Sequence, residues 1–141
     1  MQKTFHRLFK IIDFKKEYQQ KSSGLNYLQM HTLEKIYKEK SMKTLEISKV
    51  LGVSPSTLIG VLDELEKQEL IERQRQQEDK RVVLVTATTK GEDIVKQHFE
   101  EDRLFLENLL KHLEEDERQN LKSLLEKMTN GIAEFEALFK Q

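Results

Sequence analysis

The stretch from Thr44 to Gly91 decides the fold of this chain, and its first part, residues 44–57, reads TLEISKVLGVSPST. A short helix is predicted to end at Gly52, a three-residue turn follows, and a second helix begins after Ser54. Ser54 can accept a hydrogen bond from a first-turn backbone N–H, and Pro55 suits the first helical position, where its missing N–H costs nothing. This layout predicts a helix-turn-helix, whose second helix enters the major groove of DNA.

The second helix is predicted to run to about Gln68 with one apolar face and one polar face. Its apolar residues recur at helical spacing, at Leu58, Val61, Leu62 and Leu65. An apolar Ile59 and a bare Gly60 on the opposite face suit a surface that meets a groove. The predicted groove residues are Ser54, Pro55, Ser56, Thr57 and Gly60. Short hydroxyls and backbone N–H groups at a helix N-terminus suit phosphates, although capping alone also explains Ser54 and Pro55.

A charged hairpin follows this helix. Residues 70–75 read LIERQR, the polar tip 76–80 reads QQEDK, and residues 81–86 read RVVLVT. Two β-branched and apolar runs around a short charged tip predict a hairpin, and a hairpin after a recognition helix is a wing. Wings lie on the phosphate backbone or enter the minor groove, where arginine suits the negative potential. Arg73 and Arg75 are predicted backbone contacts, with simple solubilisation of the strand as the equal alternative.

Together these segments resemble the winged-helix regulators of the multiple-antibiotic-resistance, or MarR, type. The resemblance covers nearly the whole chain, because length and flanking helices also match, and it rests on Leu51–Ser54, Leu65–Arg73, Asp79–Val85 and Thr88–Gly91. The Asp-x-Arg pattern of Asp79 and Arg81 is fairly specific, whereas a lone helix-turn-helix occurs in many folds. The resemblance implies dimeric DNA binding, usually repression, that a small ligand often relieves.

The same resemblance assigns the wing tip to DNA. It implies that Arg81 enters the minor groove and that Asp79 holds it there, with Lys80 between them. The plain alternative is a solvated hairpin tip with a surface ion pair, which contributes little. The upstream helix-turn-helix favours the groove contact.

A few positions depart from the family's usual pattern. Glu69 stands where a glycine usually ends the helix, and a left-handed backbone there costs a non-glycine residue about 1 kcal/mol. Gly60 and Asp63 stand where many relatives have bulky basic or polar residues, and Ala87 replaces the usual leucine. These departures bear on base preference and not on the fold.

The composition fits one cytoplasmic domain. The 141 residues include no cysteine, which excludes disulfides, thiol redox sensing and cysteine metal ligands. No apolar run approaches the roughly 20 residues of a membrane span, and no secretion signal is evident, so no membrane partner is expected. Residues 1–40 hold nine Lys/Arg against four Asp/Glu, residues 41–91 hold eight of each, and residues 92–141 hold seven against thirteen. The C-terminal third is therefore expected to face away from nucleic acid.

The flanking segments predict long amphipathic helices. A helix over residues 2–20 and two helices after residue 91 carry more apolar surface than a small winged domain can cover. We expect a mainly α fold with a small β component, as a single MarR-type domain over residues 1–141. Within it, residues 25–91 form the winged helix-turn-helix lobe, while residues 1–20 and 92–141 form dimerisation helices.

The sequence predicts a ligand pocket and no catalytic or metal site. Apolar walls with a few polar groups typify small-molecule pockets, and the predicted lining is Phe9, Ile12, Met30, His31, Leu33 and Phe99. His98 shares a helical face with Glu101 and Asp102, but there is no HxxxH pair, so neither a metal nor a cofactor is expected. A glycine-rich phosphate loop and a nucleophile triad are absent as well, so no enzyme activity is expected.

The predicted function is a ligand-responsive repressor that binds a pseudo-palindromic operator in double-stranded DNA as a homodimer. Its effector is expected to be a small lipophilic or aromatic anionic compound. Two alternatives remain: a winged-helix protein-interaction module without DNA binding, which the near-zero lobe charge favours, and a metal-responsive regulator.

Overall fold

The computed structural model describes residues 1–77 and 82–130, which form six helices and three short strands. In chain order the elements are α1 (Gln2–Ser23), α2 (Tyr27–Glu39), β1 (Met42–Lys43), α3 (Thr44–Leu51), α4 (Pro55–Lys67), β2 (Ile71–Arg75), β3 (Val83–Ala87), α5 (Thr89–Leu110) and α6 (Glu115–Thr129). The chain divides into two compact units, Met1–Asp102 and Arg103–Gln141. The predicted mainly helical winged fold is confirmed.

The helix-turn-helix has the predicted bounds. Helix α3 ends at Leu51, and Gly52 follows with a left-handed backbone at φ 65°. Ser54 caps α4, because its Oγ accepts a hydrogen bond from the Thr57 N–H at 3.1 Å. Pro55 is the first helical residue, as its locked φ and missing N–H favour. The turn between the helices therefore uses glycine where a positive φ is needed and a hydroxyl where a free N–H must be satisfied.

The predicted wing hairpin is confirmed over its described part. Strands β2 and β3 pair antiparallel, from Ile71 opposite Ala87 to Arg75 opposite Val83. A third strand, β1, pairs with the other edge of β3, so the sheet order is β1-β3-β2. The sequence did not indicate β1, because two residues are too few to show an alternating pattern.

One apolar core holds the first unit together. Helices α2, α3, α4 and α5 and all three strands contribute to it, and the buried apolar residues are Leu25, Met30, Leu33, Ile36, Met42, Ile47, Leu58, Leu62, Leu65, Leu70, Ile71, Val85 and Val95. Leu58, Leu62 and Leu65 are fully buried, and their spacing of three and four residues places them on one face of α4. The opposite face of α4 is thereby directed toward solvent.

A left-handed turn connects α4 to β2. The Leu70 N–H donates to the Leu65 carbonyl at 2.9 Å and the Glu69 N–H donates to the Glu66 carbonyl at 2.8 Å, which is the Schellman pattern. The turn residue, Glu69, has φ 61°, so this position, where the family usually has a glycine, is left-handed in this chain. Thr88 fastens α5 to the same turn, since its Oγ1 donates to the Glu69 carbonyl at 2.7 Å and accepts from the Gly91 N–H at 3.1 Å.

The long helices differ slightly from their predicted bounds. Helix α1 continues to Ser23, three residues past the predicted end, and stops where Gly24 turns left-handed at φ 71°. No residue of α1 is buried, and Phe9 and Phe14 are largely exposed. In the described part of the second unit, residues 103–130, the exposed large apolar residues are Leu104, Leu106, Leu109, Leu124, Leu125 and Met128. Each unit therefore presents apolar helical surface to solvent.

Among the described residues, no single helix has both the length and the apolar character needed to cross a bilayer. Only α3 and α4 taken together pass that test, and they are bent by 112° where they meet.

Candidate DNA-binding surface

The N-terminus of α4 carries a cluster of hydroxyl groups. The Ser54 Oγ lies 3.0 Å from the Ser56 Oγ and 2.8 Å from the Thr57 Oγ1. All three side chains are exposed. The first-turn N–H groups of a helix and neighbouring hydroxyls are suited to bind phosphate oxygens. The structure thus brings the predicted residues Ser54, Pro55, Ser56 and Thr57 together at one exposed helix end.

The outward face of α4 continues from this cluster through Ile59 and Gly60. The Ile59 side chain is 49% exposed, although isoleucine is one of the most apolar residue types. A Cβ added to Gly60 would meet no atom within 4 Å, so no packing contact requires glycine there. The predicted groove residue Gly60 therefore lies on an open surface.

Arg73 connects the wing to the recognition helix α4. Its Nε donates to the Glu66 Oε2 at 2.9 Å, and its Nη2 contacts the same carboxylate and lies 2.7 Å from the Asp63 Oδ1. The Arg73 side chain is 26% exposed, less than either carboxylate. We refer to Asp63, Glu66 and Arg73 as the Arg73 clamp. Sequence reasoning missed the two acidic partners, although their spacing of three residues places them on one side of a helix.

The clamp changes the titration of its members. The hydrogen bond from Arg73 lowers the pKa of Glu66, against a smaller opposing effect of burial. The hydrogen bond to Glu66 raises the pKa of Arg73, and Asp63 adds to that rise. The guanidinium is therefore already neutralised by two carboxylates, and a DNA phosphate has to compete with them for it.

The remaining predicted wing contacts lie in or near the hairpin tip. Arg75 is exposed at the end of β2, and the Gln76 N–H donates to the Val82 carbonyl at 3.0 Å just beyond it. Asp79, Lys80 and Arg81 lie outside the described residues, so their assignment to DNA stays a prediction.

A cleft of about 530 Å³ opens between α3, the start of α4 and β3. Its lining is mostly apolar and consists of Lys43, Thr44, Leu45, Ser48, Pro55, Ile59, Arg73, Val82 and Val83. Sequence reasoning missed this cleft, because its walls come from segments that are up to 40 positions apart.

The predicted ligand-pocket residues occupy different environments in the first unit. Leu33 is fully buried and Met30 nearly so, whereas Phe9 is 56% exposed on α1. Phe99 packs edge-on against Tyr37 at a ring separation of 6.2 Å. His31 stacks on Tyr27, and Ile12 is half-buried on α1. The assignment of these residues to an effector pocket stays a prediction.

His98 is engaged by helix α2 and not by the acidic residues beside it on α5. Its Nε2 lies 2.9 Å from the Glu34 Oε1, and both side chains are largely buried. Asp102 is bound instead by Lys15 of α1 at 2.6 Å. Burial opposes this charge, but the hydrogen bonds from Lys15 and Gln19 lower the pKa of Asp102 overall. Over residues 1–77 and 82–130, no three His, Asp or Glu side chains converge as metal ligands.

Comparison with known proteins identifies the family. The MarR family model matches residues 25–83. The uncharacterized HTH-type transcriptional regulator YdgJ of Bacillus subtilis (strain 168) is 25% identical over 115 residues, which are 82% of this chain and 70% of YdgJ. The crystal structure of YusO from Bacillus subtilis superposes with a TM-score of 0.84, at 24% identity and 92% coverage of both chains.

The MarR protein of E. coli is a relative with solved structures both without and with operator DNA. Its reduced form is 30% identical, with a TM-score of 0.71, over 87% of this chain and 93% of MarR. A cysteine-to-serine variant of MarR, complexed with operator DNA, is 28% identical with a TM-score of 0.65, over 87% of this chain and 91% of that one. This chain belongs to the MarR family, and it is a transcriptional regulator and not an enzyme.

Proposed function

We propose that this regulator binds a pseudo-palindromic operator as a homodimer and represses transcription. The observation that carries the proposal is the exposed outward face of α4, which has an N-terminal hydroxyl cluster and stands beside a wing in a MarR-type lobe. A MarR relative of 28% identity was crystallised with operator DNA, which supports the same partner here. Because its proposed partner is DNA, we assign the protein to the cytoplasm.

The DNA contacts divide between the helix and the wing. In this proposal Ser54, Ser56 and Thr57 bind phosphates, while the rest of the outward face of α4 meets base edges. Arg75, Lys80 and Arg81 provide the positive charge of the wing, and Arg81 enters the minor groove beside Asp79. Arg73 contributes mainly through the clamp, because its charge is already paired.

Homodimerisation is proposed from the apolar surface of the long helices. In the second unit Leu106, Leu124 and Met128 are each at least half exposed, and in the first unit Phe9 and Phe14 are as well. Exposed apolar clusters of this kind mark association surfaces. A two-fold dimer would place its recognition helices about 34 Å apart, one turn of DNA, or a multiple of that distance.

The proposal is tested by selecting bound fragments from random duplex DNA and measuring their affinity. Arg81→Ala should weaken the selected operator by about 1–3 kcal/mol, because one groove contact is lost. The matched control is Lys127→Ala, which removes the same charge from α6 and should leave affinity nearly unchanged. An Arg81→Ala protein that binds within twofold of the unaltered chain would reject Arg81 as a groove residue.

The protein-interaction alternative has one observation in its favour. Within the lobe, residues 41–91 hold eight basic and eight acidic residues, and two of the acidic ones neutralise Arg73. If the random-duplex selection yields no enriched sequence at low salt, this alternative replaces DNA binding.

The effector is proposed to be a small lipophilic or aromatic anion that binds near Phe9, Ile12, Met30, His31, Leu33 and Phe99. A ligand weakens DNA binding only if it prefers the DNA-incompetent arrangement, and a tenfold loss needs about 1.4 kcal/mol of such preference. Operator affinity should fall with aromatic or fatty acids and stay constant with zinc or a chelator. A response to metal alone that disappears in His98→Ala would establish the metal-responsive alternative.

A further inference from the structure

Ile59 has a surface position that the fold does not explain. The other branched aliphatic residues of α4 are buried or half-buried, and Leu58, Leu62 and Leu65 have no accessible surface. Ile59 alone among the large apolar residues of this fully described helix is exposed, at 49%. It lies one turn after Pro55, on the flank of α4, where both residues line the cleft between α3, α4 and β3.

The neighbours of Ile59 leave few other ways to read bases. Helix α4 contains no Arg, Asn or Gln, and its one Lys, Lys67, is its last residue; these are the side chains that pair with guanine or adenine edges. Asp63 could accept from cytosine, but its carboxylate is held by Arg73 at 2.7 Å. Gly60 presents only backbone, and nothing lies within 4 Å of its missing Cβ. The open space at Gly60 therefore leaves room for a base edge to approach Ile59.

In the major groove, the 5-methyl group of thymine is the feature that apolar side chains recognise. We propose that Ile59 is a specificity-determining residue that contacts a thymine methyl group in each operator half-site, with Gly60 giving the room for that approach. The inference rests on the proposed DNA binding and names what the recognition helix reads.

The test replaces operator thymines by deoxyuridine, one position at a time, which removes only the methyl group. With the unaltered dimer, one thymine in each half-site should be sensitive, and its replacement should weaken binding about fourfold, the value of one buried methyl-sized group. Ile59→Ala should bind more weakly overall and no longer distinguish thymine from uracil at that position. Ile59→Val should retain most of the distinction.

Val50→Ala is the matched control, because Val50 is a half-exposed β-branched residue of α3 that lies outside α4. It should distinguish thymine from uracil as the unaltered protein does. If no thymine is sensitive, or if Ile59→Ala keeps the same sensitivity, Ile59 is not a methyl reader, while operator binding itself stands. If the unaltered protein selects no duplex at all, the proposed function itself is rejected, and the inference about Ile59 is rejected with it.

Discussion

Glu69 holds a backbone conformation that glycine usually provides. The Schellman turn after α4 requires a positive φ at this position, and Glu69 adopts φ 61°. The equivalent turn after α3 uses Gly52 at φ 65°. The two turns have the same hydrogen-bond pattern, since Val53 donates to the Ser48 carbonyl at 3.1 Å as Leu70 donates to that of Leu65. Only the second turn therefore carries strain from a Cβ.

Glu69→Gly is expected to raise the free energy of unfolding by about 0.5–1 kcal/mol. A left-handed backbone costs a residue with a Cβ roughly 1–2 kcal/mol, and this cost exceeds the free energy of the extra chain entropy that glycine loses on folding. Urea denaturation measures the change. Glu64→Gly, in the interior of α4, is the control and should instead destabilise by about 1 kcal/mol. If Glu69→Gly and Glu64→Gly lower the free energy of unfolding equally, the backbone at residue 69 is not strained.

Two helical glycines should respond to alanine in opposite directions. A Cβ at Gly91 would lie 2.1 Å from the Leu70 carbonyl oxygen, which is backbone and cannot swing aside. Gly91→Ala should therefore destabilise by about 1–3 kcal/mol or more. Gly60→Ala meets open space and should stabilise by up to about 1 kcal/mol, through helix propensity alone. Thermal unfolding without DNA compares the two, and a tolerated Gly91→Ala would contradict the packing of α5 against this turn.

At the scale of elements, the Arg73 clamp joins β2 to α4. Glu66 has a lowered pKa because Arg73 donates to it, so the ionised form stabilises the fold. This contribution is fully present above the ordinary glutamate pKa of about 4.3 and is lost as the pH falls through the lowered folded value. Because the Glu66 side chain is 40% exposed, solvent screening limits the contribution to about 1 kcal/mol or less.

Glu66→Gln should therefore reduce the free energy of unfolding above about pH 5 and have little effect below about pH 3. Arg73 stays charged throughout, so the pH dependence belongs to the carboxylates. Urea unfolding at a series of pH values gives the difference between the two proteins. Glu64→Gln removes a charge from the same helix without touching Arg73, and it should show a smaller difference. A Glu66→Gln effect that is independent of pH would mean that the ion pair contributes nothing.

At the scale of the whole molecule, assembly should depend on the apolar residues of α6. Replacing Leu124 and Met128 together by lysine should convert the proposed dimer to a monomer, because each is 57% exposed in the single chain and would be buried by a second copy. Analytical ultracentrifugation measures the mass. The monomer should also bind the operator more weakly, since one lobe contacts only one half-site. The control is Gln119→Lys on the same helix, and an unchanged mass in the double variant would exclude α6 from the interface.

Local features were predictable because their causes lie within a few residues. Asn26 and Gln29 form a capping box at the start of α2, and Ser54 caps α4 as its position before Pro55 indicates. Thr88, just before α5, accepts a hydrogen bond from the Gly91 N–H. Each of these hydrogen bonds joins groups three residues apart, so the sequence alone contains both partners. The apolar spacing of α4 was sufficient in the same way to separate its buried face from its outward face.

The partners of long side chains were decided only by the tertiary structure. Arg73 was predicted as a DNA contact with no view of Asp63 and Glu66, because a guanidinium can reach several groups and the choice depends on how β2 packs beside α4. His98 likewise pairs with Glu34, 64 positions away, and not with the acidic residues of its own helix. The sequence by itself determined the helix-turn-helix and the wing, since these follow from caps, turns and periodicity, and its resemblance to the MarR family indicated the fold of the whole chain. The structure alone decided which charges are neutralised, because the choice of partner depends on distances between elements that are remote in the chain.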